Sequence, residues 1–161
     1  MALLLKRGAV KIVTKAKEAK KKEPLKDDVV IIIDISKPIE KSVKKYLNAI
    51  GIDSTIFVCT SPCGHLDIND RDVWQNAVKE IYALISTIDS AAPKRIHIFM
   101  SAPATLMYGL GYALRPTNCA LKVYQHNQSQ IGCADSDLYS MVLHVNDSLK
   151  NDTRVRSFIT A

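Results

Sequence analysis

The chain has 161 residues, 47% of them hydrophobic and 24% charged, with a formal net charge of +6. These values are typical of one soluble globular domain that is large enough to bury a core. The sequence argues against a membrane-spanning protein, because no apolar run approaches the roughly 18 residues that cross a bilayer. Leu3-Leu4-Leu5 is too short for the core of a signal peptide, so we expect a cytoplasmic protein.

The positive charge is concentrated at the N-terminus. Residues 1–26 contain nine Lys and Arg and two Glu, whereas residues 27–161 contain thirteen Lys and Arg and fourteen Asp and Glu. The nearly neutral body is not expected to be a general nucleic-acid-binding surface. We interpret residues 1–26 as a basic tail or linker, with a weak strand signal at 10–14, and residues 27–161 as a single domain. Such a tail suits an acidic partner, nucleic acid or an anionic membrane.

Strands and helices alternate along the body. Residues 29–35 are β-branched and continuously apolar as far as an aspartate, which is typical of a central parallel strand. Pro38 suits the first position of a helix that Gly51 ends, and Asp70 or Asp72 suits the cap of a long second helix. The predicted elements, in chain order, are a strand at 29–35, a helix at 38–50, a strand at 54–59, a helix ending near 88, a strand at 95–100, a helix at 104–114, and strands at 119–125 and 139–145.

This alternation predicts an α/β fold of Rossmann-like type, with a mainly parallel sheet and helices on both faces. In a doubly wound order, the chain reverses direction between the first and third strands of the body. Ligands bind beyond the carboxyl ends of the strands at that point. Those ends are residues 34–37 and 100–103, and residues 125–127 follow along the same rim. The last strand, 139–145, is expected at the sheet edge.

The stretch 95–113 passes from an apolar strand through a turn of small residues into a helix. Ser101 suits the N-cap of that helix and Pro103 its first turn. Gly109 and Gly111 are each about 1 kcal/mol less favourable than alanine inside a helix, which indicates the close approach of a backbone or a ligand. Free N–H groups and the positive end of the helix dipole make such a turn a common phosphate-binding site.

Several catalytic and cofactor motifs are missing from the sequence. No glycine-rich dinucleotide loop or Walker A motif follows the first strand, and no G-x-S-x-G elbow occurs. Cys59, Cys63 and His65 suggest zinc ligands, but their spacing is loose and no fourth ligand is evident. We therefore expect no metal, no cofactor and reduced cysteines. His97, in the middle of a strand, is interpreted as a core histidine.

Three segments resemble a SAVED domain, the cyclic-oligonucleotide sensor of bacterial antiphage (CBASS) effectors. They read VVIIIDIS at 29–36, RIHIFMSAPATLMYGLGYAL at 95–114 and LKVYQHN at 121–127. Met107 and Tyr108 depart from the family, in which an alanine-rich segment is commoner. The resemblance spans roughly residues 28–145. The positions that match the family's strand, proline, helix and later V-Y strand are Phe99, Pro103, Leu110, Gly111, Val123 and Tyr124.

The resemblance implies a CARF-like fold and a sensing part rather than an output part. SAVED domains are similar to two fused CARF-like halves that together read a cyclic di- or trinucleotide, and they are attached to a nuclease, protease, TIR or membrane effector. This chain has room for one half and shows no effector motif. The resemblance therefore implies that a second copy, or an effector subunit, supplies the other half of the pocket.

The resemblance and the predicted rim together imply a ligand site without catalytic residues. Ser101, Ala102 and Thr105 would offer N–H and hydroxyl donors to a phosphate. Ser36 and Lys37 would do the same from the neighbouring strand end, and base or ribose contacts would come from the end of the later strand. The candidate ligand-binding residues are Ser36, Lys37, Ser101, Ala102, Pro103, Thr105, Tyr124, His126 and Asn127.

Two other functions stay open at the level of the sequence. A ring nuclease would cleave the same kind of ligand, using a placed 2′-hydroxyl and a donor such as His126 or Lys37. A structural protein would hold nucleic acid or a membrane through the Lys-rich tail. Recovery of intact ligand after incubation separates the sensor from the nuclease, and deletion of residues 1–24 tests the tail.

Overall fold

The computed structural model describes residues 11–14, 24–61, 66, 70–114, 117–127 and 134–145. One six-stranded sheet carries helices on both of its faces. Asp135–Asp137 form a single 3-10 turn. The strands are β1 (Lys11–Thr14), β2 (Asp28–Asp34), β3 (Thr55–Thr60), β4 (Arg95–Ser101), β5 (Ala120–His126) and β6 (Tyr139–Val145); the helices are α1 (Glu40–Ala49), α2 (Arg71–Ser90) and α3 (Ala104–Ala113).

The strand order is β1-β3-β2-β4-β5-β6. The four inner strands are parallel to one another, and both outer strands run antiparallel to their neighbours. The predicted α/β fold is therefore confirmed, with β6 at the edge. From β2 the chain moves to one side to form β3 and then crosses to the other side to form β4. The carboxyl ends of β2 and β4 consequently meet at the point of reversal, where ligands bind in folds of this kind.

β2 lies at the centre of the sheet, and its side chains are buried in the core on both faces of the sheet. All five residues from Val29 to Ile33 have no solvent exposure, as expected for a parallel strand covered on both faces. Successive side chains point to opposite faces. Ile31 and Ile33 pack towards α2 and α3, whereas Val30 and Ile32 pack towards α1.

The face covered by α2 and α3 is mainly aliphatic. α2 buries a stripe at four-residue spacing that begins with Ala77 and Ile81, and α3 buries Leu106 and Leu110. A Cβ on Gly109 would lie 3.2 Å from Val78 Cγ2. The close approach that the glycine indicated is therefore the contact between α3 and α2.

The face covered by α1 is aromatic. Tyr46 of α1 makes edge-to-face contacts with Phe99, Tyr124 and Tyr139, at centroid distances of 6.0, 5.9 and 5.5 Å. Phe99 also stacks on Tyr124 at 4.4 Å. Such ring pairs stabilise a core beyond the area they bury, so this face is closed by interlocking rings.

One helix begins later than the sequence predicts, and another begins where predicted but with a different cap. α1 begins at Glu40 rather than Pro38, because the Asp34 carboxylate accepts a hydrogen bond from the Ile39 N–H (3.2 Å) and fixes the start there. α3 begins at Ala104 with Pro103 as its N-cap. Ser101 is the last residue of β4, so the prediction that it caps this helix is wrong.

The ends of the other helices follow the sequence more closely. Gly51 has a φ of +71° just beyond α1, the left-handed conformation that favours glycine at a helix end. Asp70 caps α2, since its side chain accepts from the N–H groups of Asp72 and Val73. Residues 11–14, which the charge pattern placed in the N-terminal tail, form β1 at the edge of the same sheet. Within the described ranges, no helix is long and apolar enough to span a membrane.

Candidate functional site

Ser101 joins the ends of the two central strands. Its carbonyl accepts hydrogen bonds from the N–H groups of Ile35 (2.9 Å) and Ser36 (2.8 Å). Its hydroxyl accepts a third from the N–H of Lys37 (3.0 Å). The segment that leaves β2 is therefore held against the end of β4, and the rim predicted from the two strand ends exists as one connected structure.

A cleft of about 660 Å³ opens beside this junction. Its volume lies within the range usual for small-molecule sites, roughly 300–1,000 Å³. It is bounded by the first turns of α2 and α3, on the aliphatic face of the sheet. Its lining residues are Ile35, Ser36, Leu66, Arg71, Trp74, Gln75, Val78, Pro103, Thr105 and Leu106.

The first turns of α2 supply a guanidinium, an indole and an amide to the cleft. Arg71 is the first residue of α2 and is exposed, and it makes no ion pair with any residue that the structure describes. Trp74 and Gln75 follow one turn later, with the indole half-buried. A guanidinium suits bidentate binding of phosphate, and an indole face suits stacking with a base. The lining therefore contains one group suited to a phosphate and one suited to an aromatic base.

The two helices that start at the cleft differ in their caps. The N-terminus of α2 is capped by the Asp70 carboxylate. Pro103 has no side-chain acceptor to offer α3, and the N–H groups of Ala104 and Thr105 donate to no residue among those described. Unpaired N–H groups at a helix start favour an anion. The start of α3, next to Arg71 in the same cleft, is therefore the more suitable end for a phosphate.

Three of the nine candidate residues line the cleft, namely Ser36, Pro103 and Thr105. Lys37 is exposed beside it, and its N–H is held by Ser101. Ala102 packs against the aliphatic core. These six residues lie together at the junction of β2, β4 and α3, as the sequence predicts.

The remaining three candidates are occupied elsewhere. Tyr124 is buried, and its hydroxyl lies 2.9 Å from His97 Nδ1; burial raises its pKa to about 12. His126 is exposed and packs edge-to-face on Tyr139 at 5.1 Å. The Asn127 side chain donates to the Asp137 carbonyl and to Ser140 Oγ. These side chains belong to the aromatic face and to the β5–β6 connection, not to the cleft lining.

His97 is a core histidine, as predicted. It is 1% exposed, and its Nε2 lies 2.8 Å from Asp28 Oδ1. Burial lowers its pKa below the ordinary 6.5, although Asp28 opposes this effect. Burial raises the pKa of Asp28, but hydrogen bonds from Arg95 and His97 outweigh it, so the carboxyl titrates below its ordinary value. The network holds β2, β4 and β5 together and lies on the closed face.

The zinc interpretation finds no ligand set in the described part of the chain, where no group of three or more His, Cys, Asp or Glu could hold a metal ion. Cys59 is buried, and burial raises its pKa to about 12. Cys119 is buried and donates to Asp89 Oδ1. Cys63, His65 and Cys133 lie outside the described residues.

Arg71, Trp74 and Gln75 line the cleft but are not among the ligand-binding residues predicted from the sequence. Trp74 packs against the aliphatic core and also lines the cleft. The available signal was the single tryptophan of the chain, three residues after an arginine, in the first turns of a helix that follows a parallel strand. Helix starts after parallel strands lie at the ligand-binding rim.

Comparison with known proteins gives one family. Residues 7–134 match SAVED, described as the SMODS-associated and fused to various effectors sensor domain. No curated protein matches the sequence.

Solved structures of the Acinetobacter baumannii Cap4 SAVED/CARF-domain containing receptor have a similar fold. The structure with the cyclic trinucleotide 3′3′3′-cAAA has a TM-score of 0.66 and 17% identity, covering 88% of this chain and 28% of the receptor. The structure with 2′3′3′-cAAA has a TM-score of 0.63, with the same identity and coverages. A third Cap4 structure has a TM-score of 0.60 and 14% identity, covering 86% and 26%. This chain therefore spans little more than a quarter of the receptor's length. The extent of the family match shows that this chain belongs to the SAVED family.

Proposed function

We propose that this chain is a sensor module of a bacterial antiphage defence system, binding a cyclic oligonucleotide in the cleft and passing the signal to an effector. The observation that carries the proposal is the position of a nucleotide-sized cleft at the reversal between β2 and β4, with Arg71 and Trp74 in its lining. The family is described as a sensor fused to various effectors. The Cap4 receptors of similar fold were solved with cyclic trinucleotides.

In this proposal a phosphate of the ligand lies between Arg71 and the start of α3. The guanidinium provides a fixed charge, and the N–H groups of Ala104 and Thr105 donate to the phosphate oxygens. Trp74 stacks on one base, and the Gln75 amide donates to or accepts from its edge.

Residues of the junction complete the proposed site. The hydroxyls of Ser36 and Thr105 bind phosphate or ribose, and Lys37 adds positive charge from the rim. Ser101 holds this segment in place through its hydrogen bonds, and Ala102 and Pro103 shape the turn. Tyr124 and Asn127 support the sheet rather than the ligand, because their polar atoms are already hydrogen bonded.

The outer surface of α3 is the observation that favours a partner covering the cleft. The helix contains no charged residue. Met107 is 37% exposed, Tyr108 79% and Tyr112 86%. Apolar surface that continues from a ligand cleft is typical of an interaction site. We propose that a second CARF-like half covers α3 and closes the cleft, supplied by another copy, by an effector subunit or by a longer polypeptide.

A thermal-shift screen against cyclic di-, tri- and tetranucleotides tests the function. A ligand at 100 times its dissociation constant adds about 2.7 kcal/mol to the free energy of unfolding, so a matching ligand raises the melting temperature clearly. Chromatography of the ligand after incubation then distinguishes a sensor from a ring nuclease. Intact ligand supports a sensor, whereas linear products support the ring nuclease. A chain that no cyclic nucleotide stabilises, alone or with a second CARF-like half, contradicts the proposal.

A further inference from the structure

The two edges of the sheet differ in their protection against pairing. Natural edge strands are commonly guarded by charged residues, especially lysine. β1 contains Lys11 and has Lys6, Arg7, Lys15 and Lys17 close to it in the sequence. β6 contains no charged residue at all. The sequence of β1 therefore includes the kind of residue that protects edge strands, and the sequence of β6 does not.

β6 also exposes three successive apolar side chains. Met141 is 47% exposed, Val142 is 56% exposed and Leu143 is 50% exposed. β6 is the last strand of the sheet, and no described strand pairs with its outer side. An uncharged apolar edge strand is a template for another strand.

The order of residues in β6 indicates which strand fits there. The sequence Tyr-Ser-Met-Val-Leu-His-Val, from Tyr139 to Val145, is symmetrical in polarity about Val142. An antiparallel pair of two such strands, related by a two-fold axis at Val142, places Met141 against Leu143. It also places Ser140 against His144, so that polar residues meet polar residues. Because antiparallel pairing of identical strands is self-complementary, the strand matches a second copy of itself.

We infer that β6 pairs antiparallel with β6 of a second copy of this chain, which joins the two sheets into one. β6 itself contains no charged residue, so no like charges face each other within the paired strands. A bulge lies opposite Val123 and Tyr124 and leaves Val142 without a partner on β5. Because a bulge increases local twist, the contact is short, and we expect a dimer that depends on protein concentration.

This interface goes beyond the nucleotide-sensing function and does not depend on it. The cleft lies at the ends of β2 and β4, whereas β6 is the outer strand beyond β5. Dimerisation through β6 is therefore expected without any nucleotide, and Arg71→Glu in the cleft is expected to leave it unchanged.

The test is light scattering on a size-exclusion column over a range of concentrations of the full chain, without nucleotide. Val142→Lys places a charge at the two-fold axis in both copies, where like charges oppose association. We expect its dimerisation midpoint to rise at least about tenfold. Ser86→Lys, on the exposed surface of α2, adds the same charge elsewhere and is expected to behave as wild type. A wild-type chain that remains monomeric, or two variants that behave alike, overturns the inference.

A cysteine cross-link tests the register independently of stability. Val142→Cys places two thiols next to each other at the proposed axis, so mild oxidation is expected to yield a covalent dimer on a non-reducing gel. Ser86→Cys and wild type provide the background from the native cysteines. A Val142→Cys yield no higher than that background contradicts the pairing. Dimerisation that is seen only after removal of residues 146–161 also contradicts the pairing. In that case the chain's own C-terminal segment would occupy the edge.

Discussion

The two faces of the sheet use their polar and aromatic residues in opposite ways. On the α1 face, rings interlock and polar atoms are paired, as in the contact of Ser42 Oγ with the Tyr139 hydroxyl at 2.8 Å. On the α2–α3 face, the core is aliphatic and opens at the strand ends into a cleft lined by Arg71 and Trp74. One face is closed by its own side chains, and the other has an open cleft at the strand ends.

The difference shows why residues of similar type at neighbouring strand ends have different roles. Tyr124 and His126 stand two residues apart on β5, so they point to the same face of the sheet. That face is the α1 face, where both contact the aromatic cluster. A tyrosine and a histidine at a strand end resemble ligand contacts in sequence, but the face decides whether the ligand can reach them.

Phe99→Ala is expected to destabilise the closed face more than any other substitution considered below. Phe99 is fully buried against Tyr46, Tyr124 and Tyr139. Its removal leaves a cavity among rings, and we expect a loss of about 3–5 kcal/mol in the free energy of unfolding. Ile98→Val, one residue away on the aliphatic face, is expected to cost only about 0.5–1.5 kcal/mol. Urea unfolding measures both, and a loss at Phe99 no larger than that at Ile98 would contradict the close packing of Phe99 among the rings.

The open face is tested by Arg71→Glu. A carboxylate replaces the guanidinium in the cleft, so we expect roughly a 100-fold loss of affinity for a cyclic oligonucleotide, a change of about 2.7 kcal/mol. Folding is expected to survive, because a carboxylate suits the start of α2. Lys41→Glu, exposed on α1, makes the same charge change away from the cleft. Titration calorimetry measures both, and equal affinities for the two variants would remove Arg71 from the site.

A smaller effect on the closed face comes from the pH dependence of stability. Burial keeps the pKa of His97 below 6.5, so below that pH the unfolded chain binds a proton that the folded chain does not. Stability is therefore expected to fall as the pH decreases from about 7.5 to about 5.5. His97→Gln keeps hydrogen-bonding groups but removes the titration, so its urea midpoint should fall less over this range. An identical pH dependence would show that His97 is not the cause.

The smallest expected effect separates the two glycines of α3. A Cβ on Gly111 meets no atom within 4 Å, so Gly111→Ala is expected to stabilise the chain by about 0.5–1 kcal/mol through helix propensity. At Gly109, a Cβ would lie 3.2 Å from Val78 Cγ2. Gly109→Ala is therefore expected to lose some or all of that gain. Thermal unfolding of the two variants compares them directly, and an equal gain would mean that α2 and α3 are not closely packed at Gly109.

The sequence by itself determined the main elements and the α/β class, because those depend on local patterns. The β-branched apolar run 29–33 predicted a strand covered on both faces, and the apolar spacing in α2 predicted its buried stripe. The alternation of strands and helices predicted the reversal between β2 and β4, and therefore the rim that contains Ser36 and Thr105.

The tertiary structure alone decided which side chains share the cleft. Arg71 and Trp74 are 35 or more positions away from Ser36 in sequence, and only the packing of α2 against the sheet brings them to the same rim. The junction at Ser101 was decided in the same way, since its oxygen atoms bind N–H groups of residues 35–37, which lie far away in sequence. Local patterns do not encode these contacts, because each depends on two segments that meet only in the folded chain.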